Sequence, residues 1–166
     1  MPLRLENAVL PAGAWSVDPV HSAVTFEVRA LETHMATVSG RFLGFEGSLT
    51  GGSEPSAEGV IQAASIDTGE PERDEDLRSA DFFDVERHPE IRFRSEEISA
   101  EEGGGFRANG NLEIQATPHP VVLRGQVLGT GPDRHGVERV ALEAGAEYEW
   151  GDSQIRIRVQ VSARQV

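Results

Sequence analysis

Apolar and polar residues alternate with a period of two along most of the chain. Between residues 155 and 163 every odd position is Ile, Val or Ala, and the even positions carry Arg, Gln and Ser. A strand with this pattern turns one face to a core and the other to water, which is typical of antiparallel sheets. About eight candidates follow from this pattern: residues 14–18, 22–30, 37–49, 58–66, 90–98, 105–116, 120–129 taken with 137–150 as a hairpin, and 153–164.

The length of these strands predicts an all-β fold that closes into a barrel. Several exceed the usual five or six residues, and closure removes the unpaired edges that long strands would otherwise expose. We therefore expect an antiparallel eight-stranded β-barrel. Glycine-rich turns near residues 51–53 and 103–105 predict hairpins, and Gly44 and Gly125 predict bulges that bend the sheet.

One connection has the pattern of a short helix. Pro71 opens it, acidic residues follow in the first turn, and Arg78 stands near its end, as the helix dipole favours. The carboxylates in and after this segment do not have the spacing of a calcium loop, and we interpret them as a solvated helix face with local pairs to Arg73 and Arg78. They are Asp74, Glu75, Asp76, Asp81 and Asp84. The adjacent rings of Phe82 and Phe83 cannot both follow a strand face, so we expect them to close one end of the barrel.

Composition and charge narrow the functional class. The chain has 166 residues and no Cys, which predicts one domain without disulfides or thiol chemistry. Its net charge of −13 argues against binding to nucleic acid or to an anionic membrane surface. No apolar run has the length of a signal-peptide core or a membrane span, so we expect a soluble, cytoplasmic protein that is not integral to a membrane.

Two groups of residues could carry chemistry. The five His residues lack the spacing of metal ligands, so no metal site is predicted. Asp18, His21 and Ser22 are the residue types of a nucleophilic triad, but a local turn rarely places Ser and Asp on opposite sides of an imidazole. We interpret them as turn residues that bond to nearby backbone. An isomerase or hydrolase that uses them within a barrel cavity is the alternative.

Several motifs resemble those of one known family. WSVDPVHS at residues 15–22 is similar to the opening of the YceI-like family, whose members are lipocalin-like barrels that bind polyisoprenoids. The longest match is SIDTG at 65–69 followed by LRSADFFDVERHP at 77–89, and NLEI at 111–114 with PVVL at 120–123 completes it. The resemblance divides the chain into an N-terminal extension, residues 1–13, and a YceI-like domain, residues 14–166.

The resemblance implies a lipid in the barrel interior. The expected ligand is an isoprenoid, such as a polyprenyl quinone or a polyprenyl phosphate, and the family supplies no catalytic residue and no other cofactor. One family segment is missing: the residues usual before the last strand are replaced by Gly151-Asp152, which shortens the loop over one barrel end. A homodimer is compatible with the resemblance, although nothing in the sequence requires it.

The candidate ligand-binding residues face the predicted interior or its mouth. Small inward side chains leave volume for a ligand; they are Ala144 and Ala146, with Ala63, Ala64 and Ala108 as further candidates. The alternative is a barrel whose interior is filled by side chains and which acts as an interaction module. His34, Arg41, Arg73 and His119 are candidate polar residues at the mouth. The full set of interior and mouth candidates is Phe26, Val28, His34, Phe42, Phe82, Phe83, Phe93, Leu112, Ile114, Leu142, Ala144, Ala146, Tyr148, Trp150 and Ile157.

Overall fold

A computed structural model describes residues 9–30 and 37–166, and they form an antiparallel β structure with one short α-helix. The helix α1, Pro71–Arg78, lies in the predicted connection. Single 3-10 turns occupy Pro19–His21 and Ala63–Ser65. The strands are β1 Gly13–Val17, β2 Ala23–Ala30, β3 Thr37–Phe42, β4 Phe45–Gly51, β5 Ser56–Gln62, β6 Ile66–Asp67, β7 Glu90–Ala100, β8 Phe106–Ile114, β9 Thr117–Pro132, β10 Glu138–Trp150 and β11 Ser153–Gln165.

These segments close into an eight-stranded barrel, as predicted. The strand β1 pairs with β4 on one side and with β11 on the other, which completes the ring. The strands β1 and β2 act as one bent strand interrupted by the 3-10 turn, because β11 pairs with both of them. The strands β3 and β4 form a second bent strand, since β2 pairs with β3 and β1 with β4. The short β6 continues from β5 and pairs with β3.

The interruption between β3 and β4 corrects the single predicted strand over residues 37–49. Phe42 is buried and Phe45 also faces inward, yet they lie three positions apart, so the period of two breaks between them. The chain bends there, and Leu43 is left 60% exposed. Gly44 therefore marks a bend between two strands rather than a bulge within one.

Bulges occur at other positions than the predicted Gly125. Between β9 and β10 the register shifts so that Leu128 has no partner, and its side chain is largely exposed. A second shift leaves Glu96 unpaired between β7 and β8. Gly125 pairs regularly with Ala144, and a Cβ there would lie 1.9 Å from the Glu143 backbone oxygen. Close approach of two strands explains this glycine.

The barrel interior contains two apolar clusters, one toward each end. The first includes Phe26, Phe42 and Leu112 and lies near α1. The second includes Trp15 and Phe106, together with Leu10, which precedes β1 in the chain. The Trp15 indole nitrogen donates to the Pro11 carbonyl at 3.0 Å. The residues immediately before the first strand thus pack on the barrel.

Charged side chains cover the outer face. Arg156 on β11 pairs with Glu147 on β10 at 2.7 Å, and Arg158 reaches Glu143 at 3.5 Å. The two strands pair without interruption from Arg139 to Trp150 and are joined by Gly151-Asp152. Gly151 has a φ of 63°, a conformation that glycine adopts without steric cost. The connection at this end is therefore the shortest type of hairpin turn.

Candidate functional site

An apolar cavity of about 500 Å³ runs through the barrel between the two clusters. It extends from Leu10 and Phe106 at one end to Phe82 and Arg73 at the other. An eight-stranded barrel is just wide enough to be filled by side chains or to hold one ligand, and here part of the interior is open. A barrel that serves only as an interaction module would have an interior filled by side chains. This barrel instead contains a continuous void.

Thirteen of the predicted interior and mouth residues line this cavity. His34 lies outside the described residues, and Trp150 is described only by its backbone at the end of β10. The lining residues from the predicted set are Phe26, Val28, Phe42, Phe82, Phe83, Phe93, Leu112, Ile114, Leu142, Ala144, Ala146, Tyr148 and Ile157.

Small residues at inward positions keep the interior open. Ala144 and Ala146 face inward on β10 between Leu142 and Tyr148 and line the cavity, as does Ala108 on β8. Of the other small candidates, Ala63 is buried in the first cluster without lining the cavity. Ala64 is exposed, because its 3-10 turn directs it outward.

A pair of facing glycines was missed by the sequence reasoning. Gly47 on β4 lies directly opposite Gly59 on β5, and both line the cavity. Their neighbours Phe45 and Leu49 also line it. The alternation over residues 45–49 is visible in the sequence, but the juxtaposition of the two glycines depends on strand register and is not.

The two adjacent phenylalanines lie at the end of the cavity next to α1, and they play different roles. Phe83 packs edge-on against Phe42, with ring centroids 6.1 Å apart, and belongs to the buried packing of the first cluster. Phe82 lines the cavity but is 46% exposed. The Phe82 carbonyl accepts a hydrogen bond from the Gln115 side chain in the β8–β9 turn. This contact ties the segment after α1 to the barrel rim.

A buried carboxylate fastens α1 to the barrel, which corrects the interpretation of Asp74 as a solvated residue. Asp74 is 7% exposed and accepts hydrogen bonds from the Thr68 backbone nitrogen at 2.9 Å and the Thr68 hydroxyl at 2.5 Å. These hydrogen bonds lower the pKa of Asp74 below its ordinary value. Arg73 donates to Thr68, and Arg78 donates to the carbonyls of Ala64 and Ile66. Both arginines thus bond the preceding segment rather than the acids of the helix.

The remaining mouth candidates differ in their surroundings. Arg41 is exposed and lies 3.9 Å from Asp67 on the outer side of β3 and β6. The ring of His119 lies 6.1 Å from the ring of Tyr148, at a tilt of 40°. Of these two and Arg73, only Arg73 lines the cavity.

Asp18, His21 and Ser22 do not form a triad. The Asp18 carboxylate contacts His21 Nδ1 at 2.8 Å, but the Ser22 hydroxyl donates to the Ser162 carbonyl and accepts from its nitrogen at 2.9 Å. The His21 side chain is 66% exposed and does not line the cavity. The three residues brace a turn against β11, as the turn interpretation predicts.

Asp18 belongs to an ion-pair network that links segments far apart in sequence. Arg139 on β10 donates to Asp18 and to Asp133, both at 2.9 Å. Hydrogen bonds from His21 and Arg139 lower the pKa of Asp18 well below its ordinary value, and those from Arg139 and the Val137 backbone lower the pKa of Asp133 to about 2. The network holds the turn after β1 against the β9–β10 hairpin.

The described residues provide neither a metal site nor a membrane-spanning helix. Within residues 9–30 and 37–166, no three His, Asp or Glu side chains are placed to hold a metal ion. The helix of the described chain is too short and too polar to cross a membrane.

Comparisons of sequence place the chain among known proteins. A family model described as a YceI-like domain matches residues 15–163. A UPF0312 protein of Pseudomonas aeruginosa is 31% identical over 173 residues, which cover 99% of this chain and 90% of that protein. Protein YceI of Salmonella newport is 31% identical over 150 residues, 88% of this chain and 77% of its own length.

Comparisons of structure agree with the closed barrel. BcnA of Burkholderia cenocepacia superposes with a TM-score of 0.70 at 21% identity, over 88% of this chain and 98% of that one. A domain from Saccharophagus degradans, described as polyisoprenoid binding, gives a TM-score of 0.66 at 14% identity over 92% and 98% of the two chains. At these identities the similarity establishes the fold.

Proposed function

The chain belongs to the YceI-like family, and from this membership and the cavity we propose that it binds one molecule of an isoprenoid, or a similar long-chain lipid, inside the barrel. The observation that carries the proposal is the continuous apolar cavity of about 500 Å³. Burial of apolar surface favours a hydrocarbon ligand in such a cavity over water.

The shape of the cavity favours a linear chain. Five alternate residues of β11, from Ser153 to Val161, line it, which corresponds to about 26 Å along a strand and to roughly 20 Å along a barrel axis tilted by about 40°. A volume of about 500 Å³ over that length leaves a mean cross-section of roughly 25 Å². One hydrocarbon chain needs about 15–20 Å² when its carbons touch the wall at ~4 Å, so two chains side by side do not fit.

The same volume sets the length of chain that the barrel encloses. If each carbon with its hydrogens takes about 30 Å³, the share of liquid volume that one water molecule takes, about 500 Å³ holds roughly 17 carbon atoms, or three to four isoprene units. A longer chain would extend past Phe82 at the half-exposed end. Burial of about 15 methylene-sized groups contributes roughly 12 kcal/mol, and association costs of at least about 4 kcal/mol leave an affinity near micromolar.

A micromolar affinity suits a carrier, because the lipid is held in water and still released. We propose this carrier role on the same grounds. The Saccharophagus degradans domain, whose description names polyisoprenoid binding, supports the choice of ligand class through its shared fold. The cytoplasmic location and the homodimer stay predictions.

Solvent extraction of the purified native protein, followed by mass spectrometry, tests the proposal. We expect an isoprenoid or long-chain lipid at close to one molecule per chain. Protein stripped of lipid should then show a higher thermal midpoint when a prenyl quinone of three or four units is added. Extraction that yields no lipid, together with an unchanged midpoint, would refute the proposal.

A carrier must also exchange its cargo. Vesicles loaded with a fluorescent prenyl lipid, mixed with unloaded vesicles, should exchange that lipid faster in proportion to the protein concentration. Transfer that is independent of protein concentration would contradict the carrier role while leaving lipid binding intact.

A further inference from the structure

The one tyrosine of the chain lines the apolar cavity. Tyr148 occupies an inward position on β10, in line with Ala144 and Ala146, and its side chain forms part of the cavity wall near the α1 end. The outward neighbours of Tyr148 are Glu147 and Glu149 on the opposite face of the strand. The tyrosine thus brings a polar atom to a wall that is otherwise almost wholly apolar at its inward positions.

The Tyr148 hydroxyl has no hydrogen-bond partner among the described residues. The ring of Tyr148 makes a tilted contact with the ring of His119, with centroids 6.1 Å apart. Burial alone raises the pKa of Tyr148 above its ordinary value, with no contribution from a hydrogen bond. The phenol is therefore a neutral donor at physiological pH. Tyr148 is half-buried, and a tyrosine hydroxyl that is withdrawn from water ordinarily has a partner. A ligand oxygen would provide one.

The charges on the cavity wall decide which kind of oxygen fits. Among the described lining residues Arg73 is the one basic residue, and Asp76 is acidic. Glu46 and Glu58 also contribute to the wall, but both residues are exposed, and the Glu58 carboxylate lies 3.9 Å from the exposed Arg94. Arg73 already donates through Nε and one terminal nitrogen to Thr68. A phosphate or diphosphate needs charge-assisted bonds from Arg or Lys to offset its desolvation. A carbonyl oxygen needs only one neutral donor.

We propose that Tyr148 donates a hydrogen bond to a neutral carbonyl oxygen on the lipid head group, such as that of a prenyl quinone, and that the site thereby selects carbonyl lipids over prenyl phosphates. This inference rests on the proposed function, because it assigns the head group of the same ligand. The hydrocarbon chain then lies deeper, between Ala146 and the second apolar cluster. The head ring lies at the end of the cavity where Phe82 is half exposed.

Three probes with the same three-unit prenyl chain test the assignment: a prenyl quinone, a prenylated benzene without oxygen, and a prenyl diphosphate. The wild-type protein should bind the quinone about tenfold more tightly than the benzene, the worth of one ordinary hydrogen bond, and more tightly than the diphosphate. Tyr148→Phe should weaken quinone binding about tenfold and leave the benzene within twofold. As a matched control, Phe93→Leu removes ring surface from the same cavity and should weaken both neutral ligands together.

Two readouts separate recognition from a structural role. The carbonyl stretching band of the bound quinone should lie at lower frequency in the wild type than in Tyr148→Phe. The ligand-free variant should melt at the wild-type temperature or above it, since it loses an unpaired hydroxyl. A lower melting temperature would show that the hydroxyl has a protein partner and would overturn the assignment.

Each part of the proposal is contradicted by a different binding result. An equal loss for quinone and benzene in Tyr148→Phe, or no loss for either, would overturn the role of Tyr148. Tighter binding of the diphosphate than of the quinone would overturn the selectivity. A wild-type protein that binds none of the three probes would overturn the proposed function itself, which is a different result from the loss of head-group preference.

Discussion

The substitution Ala146→Leu tests the cavity at its middle. Ala146 is buried on β10 beside Ile157, lines the cavity, and belongs to neither apolar cluster. A leucine side chain adds three carbon atoms, which at about 30 Å³ each fill roughly 90 Å³, close to a fifth of the open volume. The variant should therefore exclude about three carbons of a bound chain.

Two effects of opposite sign are expected. Three displaced methylene groups at about 0.8 kcal/mol each remove roughly 2.4 kcal/mol of binding free energy, or about 60-fold in Kd. The ligand-free barrel gains apolar contacts where there was a void, less the cost of side-chain ordering and strain. A net gain of about 1 kcal/mol would raise the melting temperature by roughly 2–4 °C.

Isothermal titration with a prenyl quinone and thermal denaturation without ligand measure the two effects. Ala141→Leu is the matched control, because Ala141 lies on the same strand at an outward position opposite Gly129, and it should leave Kd within twofold. If Ala146→Leu raises the melting temperature but keeps the wild-type Kd, the ligand does not occupy this cavity.

Three changes to the scaffold complete the predictions. Gly125→Ala places a Cβ 1.9 Å from a backbone oxygen of β10, so urea denaturation should show a loss of more than about 3 kcal/mol; a loss below about 0.5 kcal/mol would contradict the close approach. Asp74→Asn removes a charged acceptor of two Thr68 hydrogen bonds and should cost about 2 kcal/mol in the same assay, whereas unchanged stability would mean that the contact contributes nothing. The pKa of Asp133, about 2 when folded against an ordinary value of 3.8, means that its pair with Arg139 stabilises the fold above about pH 4 and loses this effect as the pH falls toward 2. The difference in melting temperature between the wild type and Asp133→Asn should therefore shrink from pH 6 to pH 2, and a constant difference would refute the linkage.

Alternation was sufficient to predict the barrel, because an antiparallel strand with one buried face keeps its period of two over its whole length. It was also sufficient to orient β10, where Leu142, Ala144 and Tyr148 all face inward as predicted. The pattern failed where the backbone changed direction. Phe42 and Phe45 both face the interior although they lie three positions apart. This spacing indicates a bend, which the prediction of a single strand over 37–49 did not take into account.

The open volume could not be predicted in the same way. Periodicity identifies the side chains that face the axis, but whether they meet across it depends on the register of strands far apart in sequence. Gly47 opposite Gly59 opens the wall only because β4 and β5 pair in that register. The family resemblance supplied the expectation of a cavity that residue patterns alone supported weakly.

Tertiary contacts also determined which residues are buried and which are exposed, against their local sequence pattern. Asp74 stands in an acidic run that is typical of a solvated helix face, yet the chain before α1 folds back so that Thr68 covers it. Leu128 has the opposite fate, since a bulge removes it from the ladder and exposes it. Neither outcome has a local signature, because both follow from the path of a neighbouring segment.

The pairing of β1 with β11 has a consequence for the order of folding. Trp15 lies opposite Gln165, so this seam joins positions about 150 residues apart, and contacts of such high sequence separation form slowly. Hairpins such as β10–β11 are local and can form early, but they leave an open, curved sheet with its apolar face uncovered. The interior becomes an enclosed compartment only when β1 pairs with β11. We therefore expect loading to follow ring closure, with the lipid entering a finished barrel through its α1 end instead of acting as a template around which the strands assemble.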